Sequence, residues 1–69
     1  MSNEVKIIIE KLKRNLNPYI NVQITETDDI GIYLIKVYKA QTTFRYNYNY
    51  DLLDNYIILK NKVLSLIIS

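Results

Sequence analysis

Apolar and polar positions alternate along this chain in two rhythms. From Tyr19 to Thr27 (YINVQITET) the period is two: Ile20, Val22 and Ile24 fall on one side of an extended strand, and Asn21, Gln23 and Thr25 on the other. Ile30 to Tyr50 (IGIYLIKVYKAQTTFRYNYNY) keeps that period and reads as a hairpin. Folded back around Ala40 and Gln41, within a four-residue loop from Lys39 to Thr42, it sets Val37 opposite Phe44, Ile35 opposite Tyr46 and Tyr33 opposite Tyr48. Its second face then pairs Tyr38 with Thr43, Lys36 with Arg45, Leu34 with Asn47 and Ile32 with Asn49. A turn at Asp28-Asp29, with Thr27 opposite Ile30, sets Ile24 against Tyr33, Val22 against Ile35 and Ile20 against Val37. The two turns agree on one apolar face across three strands, and a one-residue slip in either would destroy that face.

The flanking segments follow the helical period. Val5, Ile8, Ile9, Leu12 and Leu16 form one stripe, capped by Ser2 or Asn3, with Glu4 in the first turn. Ile7 falls off the stripe, and Asn15, Asn17 and Pro18 end the helix. A second helix starts from Asp51 or Asn49. It is apolar over a wide arc, with Leu53, Tyr56, Ile57, Lys60, Leu64 and Ile67 on one line and Leu52, Leu59, Val63 and Leu66 on another. The closing VLSLIIS has no polar stop signal, so the pattern leaves that helix end open. The expected fold is α+β: a two-layer α-β-β-β-α domain of residues 1–69, a three-stranded antiparallel meander with both helices on one face.

Composition narrows the chemistry. The 69 residues include neither His nor Cys, which removes the usual nucleophiles, general bases and zinc ligands. An enzyme is not expected, nor a cofactor or metal. Net charge is +2, too mild to argue for nucleic acid by itself. The start MSNEVK lacks the order of a signal peptide, and no apolar run approaches the roughly 18 residues of a membrane span. A cytoplasmic protein with no membrane partner is therefore expected. Ile, Lys, Asn and Tyr make up 34 of the 69 residues, a bias toward AT-rich codons that suits a phage or other mobile element. The compartment would then be the cytoplasm of the host cell.

With both helices on one face, the other face of the sheet is the place to look for function. It carries Leu34, Lys36, Tyr38, Arg45 and Asn47, with Ile32 beside them. An apolar centre with a tyrosine and an arginine is the make-up of a contact surface. Lys36 opposite Arg45 is a like-charge pair suited to a carboxylate or phosphate; the same pair also serves simply to shield the apolar stripe and discourage sheet stacking. Glu26, Asp28 and Asp29 form a second candidate, an acidic hairpin tip that could imitate phosphates, or merely keep a turn soluble. Lys11, Lys13 and Arg14 are a weak basic patch near a helix C-terminus. Tyr46, Tyr48 and Tyr50 suggest a stacking platform, but their parity with Phe44 points to the core.

The element order is also that of the double-stranded-RNA-binding domain, but the places where that family contacts RNA hold Asp28, Asp29, Asp51 and Asp54 here. The helix EVKIIIEKLK, the strand YINVQITET, the strand IYLIKVYK and the strand and helix that follow resemble a small phage-encoded anti-CRISPR inhibitor of a type II effector. That resemblance spans most of the chain as a pattern of lengths and polarity. It implies a non-enzymatic protein that binds and inhibits a host protein or ribonucleoprotein, a CRISPR effector among the candidates. The alternative partner is nucleic acid, bound through Lys36, Arg45 and the first-helix cations. A homodimer is the third reading.

Overall fold

In the computed structural model, which describes residues 1–68, the elements run α1 (Asn3–Asn15), β1 (Val22–Glu26), β2 (Ile32–Val37), β3 (Ala40–Arg45) and α2 (Leu52–Ile68). The strands form one antiparallel sheet in the order β1-β2-β3. This is the expected α-β-β-β-α fold. Val22, Tyr33, Ile35, Val37 and Phe44 share one face of the sheet. They are buried in one cluster with Val5, Ile8, Ile9 and Leu12 of α1 and Tyr56, Leu59 and Val63 of α2. The parity read from the sequence therefore holds.

The register differs from the expectation in both hairpins, each time by an even number of residues. In the first, Val22 pairs with Val37, Ile24 with Ile35 and Glu26 with Tyr33. In the second, Val37 pairs with Ala40, Ile35 with Thr42 and Tyr33 with Phe44. The loop is the two residues Tyr38 and Lys39, not the stretch from Lys39 to Thr42. Tyr38 has a φ of +55°, a positive value of the kind that the primed hairpin turns require at their first loop residue. No Gly or Asn marks the turn, which is why the sequence does not reveal it. An even slip preserves every facing, so the apolar face survives it.

Shortening the loop moves the end of β3 back to Arg45. Tyr46 is still buried, but Tyr48 (61% exposed) and Tyr50 lie in the connection to α2 and not in the core. Of the two apolar lines on α2, the one with Leu59 and Val63 faces the sheet, together with Tyr56. Leu53, Ile57 and Leu64 are exposed. The helix runs through VLSLII to Ile68. Ser2 caps α1, accepting from the Val5 amide at 3.4 Å, and Asp51 caps α2, accepting from Asp54 at 2.8 Å.

One polar side chain is fully buried in this core. Asn55 Oδ1 accepts from the Asn47 amide at 2.8 Å, and Nδ2 donates to the carbonyls of Asn47 (2.9 Å) and Asp51 (3.0 Å). Asn55 thus takes over just past the last bond to β2, that of the Tyr46 amide to the Gly31 carbonyl, and locks the connection onto the first turn of α2. Buried polar groups are tolerated when satisfied in this way.

Candidate interaction surface

The face of the sheet away from the helices is built in rows. Gln23, Lys36 and Gln41 form one, Thr25, Leu34 and Thr43 the next, and Ile32 with Arg45 the third. Ile32 and Leu34 are half-buried; the other residues in the rows are exposed. Lys36 and Arg45 are therefore not opposed, as the sequence had suggested. Lys36 faces Gln41 and Arg45 faces Ile32. Gln41 and Arg45 are four residues apart on β3, so the two cations sit roughly 13 Å apart along the sheet. The expected like-charge penalty disappears. In its place is a strip with an apolar middle, Leu34 and Ile32, and one cation toward each end.

The hairpin turn places Tyr38 beyond the end of β2, 69% exposed, with its hydroxyl donating to the Tyr19 carbonyl at 3.2 Å. Asn21, Gln23, Lys36 and Tyr38 line a shallow hollow of about 240 Å³ there. Asn47 leaves the strip, a correction to its expected place on β3. Its backbone is held by Asn55, and its Oδ1 accepts from the Asn49 amide at 2.9 Å. It lines instead an open cleft of about 810 Å³ with Asp29, Gly31, Arg45, Tyr48 and Asn49.

The acidic tip is less of a cluster than its spacing implies. Glu26 is in an ion pair with the Met1 amino group. Asp28 and Asp29 are exposed in a turn tied by Thr27, whose Oγ1 accepts from the Asp29 amide at 3.2 Å and donates to the Ile32 carbonyl at 2.9 Å. Among the described residues no three of His, Cys, Asp and Glu converge as metal ligands. The first-helix patch is also divided. The Lys11 Nζ lies 4.6 Å from the centre of the Tyr56 ring, and Asn15 donates to the Tyr56 hydroxyl at 3.0 Å, so Lys11 serves the contact between the helices.

Two core tyrosines border these features. Burial pushes the Tyr33 and Tyr46 hydroxyls above their ordinary pKa. The nearby charges of Tyr48 and Glu26 add to the effect at Tyr33, and those of Glu4, Tyr48 and Asp51 at Tyr46. Tyr46 and Tyr48 meet at 4.8 Å between ring centres, tilted by 58°.

No protein-family model, curated protein or solved structure matches the chain. No helix among the described residues is long and apolar enough to cross a membrane.

Proposed function

We propose that this chain is a non-enzymatic binding protein that attaches through its open sheet face to a macromolecular partner and blocks it. The observation that carries the reading is the strip itself: Ile32 and Leu34 flanked by Lys36 and Arg45, on a sheet whose other face alone is covered by helices. The only ion pair among the described residues is that of Met1 with Glu26, so both strip cations are available to a partner's carboxylates or phosphates. An apolar middle with charged ends is the anatomy of a protein contact. The partner is a host protein or ribonucleoprotein in the host cytoplasm. The resemblance to anti-CRISPR inhibitors makes a CRISPR effector the first candidate, and Asp28 and Asp29 a second contact point.

Reduced partner retention by Leu34→Glu and by Arg45→Glu, with unfolding midpoints unchanged, is the expected result. Full retention by both variants would remove the strip from the interface. The second reading, nucleic acid, draws on the two unpaired cations. Contact through Lys36 and Arg45 alone neutralises two phosphates, so log K should fall against log salt with a slope of about −2 for duplex DNA. A protein contact centred on Leu34 has a far flatter salt response.

A further inference from the structure

The open edge of β3 has a chemistry that its faces do not. The Tyr46 amide donates to the Gly31 carbonyl at 2.9 Å, so at this pair the main chain of the outer segment points toward β2. Antiparallel pairing alternates. Ala40, Thr42 and Phe44 therefore turn their amides and carbonyls inward, and Gln41, Thr43 and Arg45 turn theirs outward, along an edge that no other strand occupies.

Natural edges are usually blunted by proline, a bulge or a central charge. The β3 edge has none of these: its register is continuous, and its one charge is at the last residue. The edge of β1 differs. Its outward groups belong to Val22, Ile24 and Glu26, and Glu26 is engaged by the amino terminus.

We propose that the outer edge of β3 pairs antiparallel with the same edge of a second copy, with Thr43 at the two-fold axis, to make a six-stranded sheet. The charges select this register. With Thr43 facing Thr43 of the second copy, Gln41 faces Arg45 in both halves. Every outward amide finds a carbonyl, each guanidinium meets an amide side chain, and no cations are directly opposed. An isologous contact needs this self-complementarity. The two open faces then join into one surface. The pairing does not rest on the proposed function: it is made by main-chain groups of β3, and of the strip residues only Arg45 takes part, which leaves Ile32, Leu34 and Lys36 free.

The test is sedimentation velocity of the full chain across a wide concentration range, with amide hydrogen exchange read residue by residue. The wild type should dimerise, and the Gln41, Thr43 and Arg45 amides should gain protection only as dimer forms. Thr43→Pro removes an amide that the fold itself does not use. It should weaken the dimer on the order of tenfold to a hundredfold. Thr43→Lys keeps the amide but sets two cations against each other at the axis, and should weaken it as well; it decides the matter if the proline variant does not fold. Gln41→Glu should tighten the dimer a few-fold, and Gln41→Lys should loosen it. A monomer at every concentration overturns the proposal. So does a dimer indifferent to Thr43→Pro and Thr43→Lys, or one that responds alike to both Gln41 variants.

Discussion

Replacing Asn55 by alanine tests the one polar group on which the β3-to-α2 connection depends. The side chain is fully buried and holds the amide and carbonyl of Asn47 and the carbonyl of Asp51. Truncation strands the Asn47 amide, at about 1–3 kcal/mol, and leaves a small cavity that adds about 1 kcal/mol. The expected loss is about 3 kcal/mol. A 69-residue domain has on the order of 3–10 kcal/mol in total, so this one change removes a third or more of the stability. Urea unfolding followed by far-ultraviolet circular dichroism gives the number. With a slope of about 1 kcal/mol/M, the midpoint should fall by about 3 M or the protein should be unfolded without denaturant. Asn55→Asp sharpens the test. One carboxylate oxygen keeps the Asn47 amide, but the other is aimed at the carbonyls of Asn47 and Asp51. That carboxyl must titrate higher in the folded than in the unfolded state, so the variant should gain stability as pH falls through its folded pKa. A loss under about 1 kcal/mol for Asn55→Ala would mean that water replaces the side chain and that the clamp is not structural.

Two further predictions follow from local geometry. The Tyr33 and Tyr46 hydroxyls titrate above their ordinary value of 10.0 when folded. The unfolded chain therefore loses those protons first, and stability should be intact below about pH 10 and decline as pH rises through the folded pKa values. Thermal unfolding scanned through the alkaline range checks this, and Tyr46→Phe should flatten the decline; an unchanged slope would refute the assignment. Tyr38 sits at φ +55°, so Tyr38→Val should cost about 1–2 kcal/mol, whereas Tyr38→Asn should be close to neutral. Equal melting temperatures for the two would show that the turn is not strained, and the Asn variant also asks whether the ring contributes to partner binding.

What the sequence discloses of this fold is parity. Val22, Ile35 and Phe44 alternate with polar neighbours, and only one side of each strand can then face the helices. Pairing partners are another matter, because sliding a strand by two or four residues leaves that alternation intact. Only turn chemistry could have fixed the slide. Tyr38-Lys39 has none of the usual signals, and Asp28-Asp29 marks a loop without fixing its length. The consequence reached the candidate site: Lys36 and Arg45 moved apart, Asn47 left the strip, and Tyr48 and Tyr50 came out of the core. Leu34, Lys36 and Arg45 stayed on the open face because facing survives an even slide. Asn55 was missed for a different reason. An asparagine on an apolar helix can be a surface residue or a buried clamp, and only the neighbouring backbone tells which. A faint signal exists, an asparagine four residues after the capping Asp51, at the point where strand periodicity gives way to helical.

The central claim is that the bare face of the sheet is the binding surface, and paired capture experiments test it most directly. The wild type, Leu34→Glu with Arg45→Glu, and Asp28→Asn with Asp29→Asn are each immobilised and challenged with the same host extract, and retained components are quantified by mass spectrometry. The account predicts a component held by the wild type, held less firmly by the tip variant and lost by the strip variant. Equal retention by the strip variant and the wild type would contradict it.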